Sequence, residues 1–119
     1  MLTIQVENMG DLAIVECKGR IIHSDAVFKL RDVVREQTAH VIVLDLSEIK
    51  AIGGGGLGML VVLERWAREH QVHLKLFSPS RTVVEGLVGN GSFRDFEIAG
   101  FHEMMGIWGQ ADRRVAMAA

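Results

Sequence analysis

The sequence predicts a single α/β domain over residues 1–119: a mostly parallel β-sheet, opened by an antiparallel hairpin and flanked by about four helices. Two short runs of alternating apolar residues open the chain, and segments with strand-like and helix-like periodicity then follow in turn. Residues 41–46 are apolar except for Asp45, which is typical of a strand that helices cover on both faces. A length of 119 residues suits one domain.

The first third of the chain predicts a hairpin and a helix. Apolar side chains alternate on either side of residues 8–11, whose asparagine, glycine and aspartate favour a turn. We expect Gly19 to end the second strand. Ser24 and Asp25 can cap a helix, because the apolar residues that follow recur at helical spacing: Val27, Leu30, Val34.

The remaining elements follow in alternation. After the strand at residues 41–46, a glycine-rich run introduces a second helix that reaches about residue 71, and residues 72–77 form another strand. Residues 78–80 open a third helix, which Gly89 and the residues after it end. A short strand near residues 96–99 precedes a final helix. One face of that helix carries apolar residues that predict core packing rather than a ligand pocket: Phe101, Met104, Met105, Trp108, Val115.

Composition and charge exclude several function classes. The formal net charge of −2 lacks the basic excess that a nucleic-acid-binding protein needs to neutralise phosphates. No apolar stretch approaches the roughly 18 residues of a membrane-spanning helix, and the N-terminus does not resemble a signal peptide, so we expect a cytoplasmic protein. The single cysteine, Cys17, lies within a predicted strand, and we expect it to be a buried apolar side chain.

The glycine run at residues 53–58 allows two interpretations. Gly53, Gly55 and Gly58 match the G-x-G-x-x-G pattern that binds pyrophosphate, although the chain is short, no acidic residue ends the next strand, and residues 47–52 separate strand from loop. The alternative is a strand-to-helix turn. That turn would leave the first N–H groups of the helix uncapped and open to an anion or a partner's carboxylate.

Several stretches together resemble the STAS domain family. They are residues 41–47, ending in Asp45, Leu46 and Ser47; Ile49 and Ile52; residues 56–60; Ser78 and Pro79 with the third helix; and residues 93–98. The resemblance implies a sheet flanked by helices and a non-enzymatic role. Anti-sigma factor antagonists of this family bind an anti-sigma factor or a related kinase-like regulator.

The chain departs from that family at the phosphorylated loop. There the family pattern reads Asp-Ser-Ser/Thr-Gly, and a phosphorylated serine releases the partner. Gly53, Gly54 and Gly55 occupy the first three positions and only Gly56 matches, so Gly54 and Gly55 stand where the phosphoacceptor would be. Without a hydroxyl group, the usual gain of about −1.5 to −2 charges cannot occur at this loop.

The second helix adds a candidate binding face. At 100° per residue, Leu57 and Val61 fall on one side of this helix beside Arg65 and Arg68, with Val62 at the edge. The opposite side is the expected core face and comprises Gly56, Leu60, Leu63, Ala67 and His70. Leu57 and Val61 either form an exposed partner surface or are covered by a neighbouring element. The predicted partner-binding surface comprises His23, Ser24, Asp25, Gly53, Gly54, Gly55, Gly56, Leu57, Gly58, Val61 and Arg65.

Two other functions remain open at this point. Similar small STAS proteins are subunits of ABC-type assemblies that transport lipids across membranes, and the glycine run could instead sense a nucleotide or phosphate. No residue pattern predicts a catalytic nucleophile and base, a metal site or a cofactor. The sequence leaves the oligomeric state open.

Overall fold

The computed structural model describes residues 1–107 and residue 109. The elements are β1 Leu2–Met9, β2 Leu12–Ile21, α1 Ser24–Arg35, β3 Val41–Ile52, α2 Gly54–Glu69, β4 His73–Phe77, α3 Arg81–Gly89, a 3₁₀ turn Phe93–Asp95, β5 Glu97–Ala99, and α4, residues 101–107. The predicted order of strands and helices is confirmed. The expected face of α4 extends to Trp108 and Val115, which lie outside the described residues.

The five strands form one sheet in the order β1-β2-β3-β4-β5. β1 and β2 pair antiparallel, and the other neighbours pair parallel. β3 runs to Ile52, which pairs with Ile21 at the carboxyl end of β2. The strand is therefore longer than residues 41–46, and the expectation that residues 47–52 form a spacer before the glycine run is wrong.

Two apolar clusters of different size hold the domain together. The larger cluster lies between the sheet and α1, α2 and α3, and includes Leu30, Leu44 and Leu60. The smaller cluster lies on the opposite face of the sheet, where α4 contributes Met104. α4 does not bury its whole apolar face, since Phe101 and Met105 are exposed. Among the described residues, no helix is long and apolar enough to cross a membrane.

Two predicted boundaries shift by a few residues. The N-cap of α1 is His23 rather than Ser24 or Asp25, and the carbonyl group of His23 accepts the N–H groups of Ala26 and Val27. Gly19 lies within β2 rather than at its end, at φ +112°. A side chain at Gly19 would collide with the carbonyl oxygen of Met1, so this backbone conformation and the close approach both require glycine.

Candidate functional site

The two segments of the predicted binding surface lie side by side at the carboxyl edge of the sheet. β2 and β3 are parallel neighbours, so α1 and α2, which follow them, begin at the same edge. The N–H group of Gly53 donates a hydrogen bond to the carbonyl oxygen of Ile21 at 3.0 Å. Residues 23–25 and the glycine run therefore lie on one continuous surface. In open α/β sheets, this edge is where binding sites commonly form.

Gly56 allows α2 to approach the sheet closely. A Cβ atom at this position would lie 2.8 Å from three atoms: the carbonyl oxygen and Cγ2 of Ile21, and Cγ1 of Ile52. Those distances are shorter than van der Waals contact, and one of the atoms belongs to backbone that cannot rotate away. The glycine that matches the STAS pattern is therefore the one that the packing of α2 requires.

The other glycines of the run form a bare surface on the first turns of α2. Gly54, Gly55 and Gly58 are exposed, and an added Cβ would meet either nothing within 4 Å or an ordinary contact at 3.9 Å. The N-cap is Gly53, which has no side chain to bond the N–H groups of the first turn, and that turn holds no acidic residue. Within the described part of the chain, no side chain therefore caps the positive end of α2, and its own first turn supplies no negative charge.

This arrangement does not reproduce a pyrophosphate-binding fingerprint. The run lies within the first turns of α2 rather than in a loop before it. In the fingerprint, the third glycine permits close packing of helix and strand. Here Gly58 occupies that position and is exposed, whereas the close approach occurs at Gly56.

Leu57 and Val61 are half-buried rather than exposed. Both pack against the larger apolar cluster. The side chain of Leu57 lies over Gly86 of α3, where an added Cβ would be 2.7 Å from its two terminal methyl groups. α3 therefore covers the side of α2 that carries Leu57, which is the second of the two alternatives that the sequence allowed. An internal glycine in a predicted helix, here Gly86, is the signal that could have indicated this close approach of two helices.

Three apolar side chains on or beside this surface are exposed, and of these the sequence indicates only Val62, at the edge of the candidate face. Val62 is 53% exposed on α2, Phe28 is 47% exposed on α1, and Ile22 is 42% exposed in the segment before α1. The guanidinium group of Arg31 lies 4.8 Å from the centre of the Phe28 ring, a cation–π contact at the surface. Phe28 lies outside the buried face of α1. A large aromatic residue away from the core face of a predicted helix could have indicated this exposed position.

The remaining predicted residues are exposed. His23, Ser24, Asp25 and Arg65 all face solvent. The expectation that His70 lies on the core face of α2 is wrong: His70 is the C-cap of α2 and is exposed, because the helix ends there. Within residues 1–107, no three histidine, cysteine, aspartate or glutamate side chains are placed to hold a metal ion. Cys17 lies away from this surface in the middle of β2, where burial, reinforced by Asp45 and Glu16, raises the pKa of its thiol to about 12. A thiol held in its protonated form is a poor nucleophile.

Comparison with known proteins agrees with this architecture. The family model of the STAS domain matches residues 3–113. The unphosphorylated form of the anti-sigma factor antagonist SpoIIAA superposes with a TM-score of 0.69 and 18% identity, over 87% of this chain and 93% of that chain. None of the curated protein sequences is significantly similar to this chain.

Two further structures have the same fold. An anti-sigma factor antagonist from Mycobacterium paratuberculosis has a TM-score of 0.71 and 17% identity, over 90% of this chain and 93% of that chain. The phosphorylated form of SpoIIAA, a Bacillus cell fate determinant, has a TM-score of 0.68 and 16% identity, over 87% and 97% of the two chains. At these identities the structures establish the fold, and the family match covers nearly all of the sequence. The chain belongs to the STAS domain family.

Proposed function

We propose that this chain is a non-enzymatic binding module that engages an anti-sigma factor or a related kinase-like regulator in the cytoplasm. The observation that carries the proposal is the bare, uncapped start of α2 beside residues 23–25. Gly54, Gly55 and Gly58 present backbone without side chains, so a partner can approach the helix closely. Membership of the STAS family and the fold shared with anti-sigma factor antagonists support a protein partner.

The exposed part of the predicted surface makes the direct contacts in this proposal. Gly54, Gly55, Gly58 and Arg65 on α2 would face the partner together with residues 23–25. The exposed apolar side chains Ile22, Phe28 and Val62 extend the surface and supply the area that a partner buries. Leu57 and Val61 support the helix from beneath, where they contact the core.

The proposed binding has no phosphorylation switch at α2. Gly54 and Gly55 take the phosphoacceptor positions in the family pattern, and glycine offers no hydroxyl group to a kinase. The partner would therefore stay bound when ATP is present, because no phosphate can be added to this surface to repel it. Control of binding would have to act elsewhere in the chain or on the partner.

A steric substitution at Gly58 tests the surface. Gly58→Arg places a long side chain where an added Cβ meets nothing within 4 Å, so the domain should fold normally while the partner is excluded. We expect the affinity for the partner to fall by tenfold or more, about 1.4 kcal/mol, in a binding measurement with the purified partner. Glu69→Arg is the matched control, since Glu69 is exposed on the same helix about 16 Å further along it.

The partner itself is identified by affinity purification of the tagged protein from its native host. We expect both the wild type and Glu69→Arg to recover an anti-sigma factor or a kinase-like regulator, and this partner to stay bound after ATP is added. Gly58→Arg should not recover it. Recovery of a lipid-transporting ATPase would contradict the proposal in favour of a transport subunit. Equal recovery with Gly58→Arg would show that the start of α2 is not the binding surface.

A further inference from the structure

A cleft of about 420 Å³ opens where the start of β1 and the end of β2 meet the first turn of α1. Its volume lies within the roughly 300–1,000 Å³ that small-molecule sites occupy. Its apolar lining residues are Met1, Leu2, Ile22 and Ala26, and it lies beside the start of α1 rather than on α2. The cleft shares Ile22, His23 and Asp25 with the candidate partner surface, but no residue of α2 lines it.

One backbone hydrogen bond and one side-chain hydrogen bond hold the walls of the cleft in place. The N–H group of Arg20 donates to the carbonyl oxygen of Met1 at 3.1 Å, and that approach is sterically possible because Gly19 has no Cβ atom. On the other side, Nζ of Lys29 donates to the carbonyl oxygen of Leu2 at 2.9 Å. Since β1, β2 and α1 are tied together around it, the cleft is a formed feature of the fold.

The charges that line the cleft favour an anion. Arg20 and Lys29 supply two cationic groups against the single carboxylate of Asp25, and His23 adds a ring nitrogen. Among residues 1–107, Arg20 has neither an ion-pair nor a side-chain hydrogen-bond partner, so its five N–H donors are available. Lys29 uses one of its three donors on Leu2 and keeps two.

We propose that this cleft binds a small amphipathic anion: an acid that carries a short hydrocarbon chain. Arg20 contacts the acidic group with paired N–H donors, and Lys29 adds a second cationic contact. The hydrocarbon chain packs against Leu2, Ile22 and Ala26, where it leaves water. Because Ile22, His23 and Asp25 belong both to the cleft and to the candidate partner surface, the ligand would lie at the border of that surface.

The test is a titration of the purified protein followed by NMR backbone shifts, with three probes. Octanoate carries both the charge and the chain, octylamine carries the chain with the opposite charge, and inorganic phosphate carries the charge alone. We expect saturable shifts with octanoate at the amides of Leu2, Ile22 and Ala26, and much weaker binding of the other two probes. Shifts scattered over the surface, or equal binding of octylamine or phosphate, would overturn the proposal.

Substitutions on either side of the cleft separate the two contacts. Arg20→Gln removes the charge of an exposed side chain, and we expect it to weaken octanoate binding about tenfold. Ile22→Ser should weaken octanoate binding without affecting the response to phosphate, because it removes only apolar area. Arg94→Gln, an exposed arginine outside the cleft, is the control. Octanoate affinity that is the same in Arg20→Gln as in Arg94→Gln would refute the role of the cleft.

Discussion

At the scale of single residues, the glycines of α2 divide by the space around them. Gly56 lies against Ile21 and Ile52 with no room for a Cβ atom, whereas Gly58 is in the same helix and faces open solvent. Glycine in a helix costs about 1 kcal/mol relative to alanine. At Gly56 the close packing of α2 on the sheet explains why glycine is present despite this cost. At Gly58 packing gives no such explanation.

The two glycines should therefore respond to alanine in opposite directions. We expect Gly58→Ala to raise the free energy of unfolding by about 0.5–1 kcal/mol, since it improves helix propensity and meets no neighbour. Gly56→Ala should lower the free energy of unfolding by about 1–3 kcal/mol, because its Cβ overlaps the Ile21 backbone. Urea unfolding monitored by circular dichroism measures both. A stabilising Gly56→Ala would mean that α2 lies further from the sheet.

At the scale of elements, the described residues 101–107 of α4 contact the sheet through buried Met104, half-buried Ile107 and a cluster of charges. Met104 is fully buried against Ile14 and Val43. Nζ of Lys75 contacts Glu103 of α4 at 3.0 Å and Glu97 of β5 at 3.3 Å. The hydrogen bond to Glu103, outweighing partial burial, raises the pKa of Lys75. The interaction of Lys75 with the carboxylates therefore stabilises the folded state at a pH below the ordinary lysine pKa. This stabilisation is lost as the pH rises through the pKa that Lys75 has in the folded protein.

The two adjacent methionines of α4 test this attachment. Met104→Ala should lower the free energy of unfolding by about 2–5 kcal/mol, because it leaves a cavity against the sheet. Met105→Ala should change it by less than about 0.5 kcal/mol, since Met105 is 49% exposed. Chemical denaturation of the two variants beside the wild type measures the difference. Equal effects would contradict the orientation of α4.

At the scale of the whole molecule, the sheet separates two unequal cores. The central strands β2 and β3 are buried on both faces around Ile14 and Val43, while most of the apolar contact lies on the side of α1, α2 and α3. Cys17 lies in β2, between β1 and β3, and is 2% exposed. Its side chain belongs to the larger apolar cluster, so we expect a reagent to reach the sulfur atom only when the packing between the sheet and the helices is lost.

We expect Cys17 to resist a thiol reagent such as DTNB at pH 8 in the native protein and to react fully in urea. The raised pKa of about 12 adds to this protection, because reaction needs the thiolate. The folded state holds the thiol proton more tightly, so the free energy of unfolding should fall as the pH rises from about 9 towards 12. Cys17→Ala should reduce that fall. Complete labelling of the native protein within seconds would contradict the burial of Cys17.

The order of strands and helices and most of the main core could be read from the sequence alone. The spacing of apolar residues along the chain is a local property. It predicts buried positions for Leu30 and Val34 of α1 and for Leu60 and Leu63 of α2, and the structure buries all four. The family resemblance also rests on contiguous stretches of sequence. It placed the candidate surface at the start of α2 before any contact was known.

Contacts between distant segments were decided only by the tertiary structure. α3 approaches α2 at Gly86 and half-buries Leu57, which leaves Val62 as the exposed apolar side chain of that helix. The close approach of β1 to Gly19, and the cleft beside it, likewise depend on residues far apart in sequence. Periodicity tells which side of a helix is apolar. Whether a second helix covers the remaining side depends on how all the elements pack on the sheet.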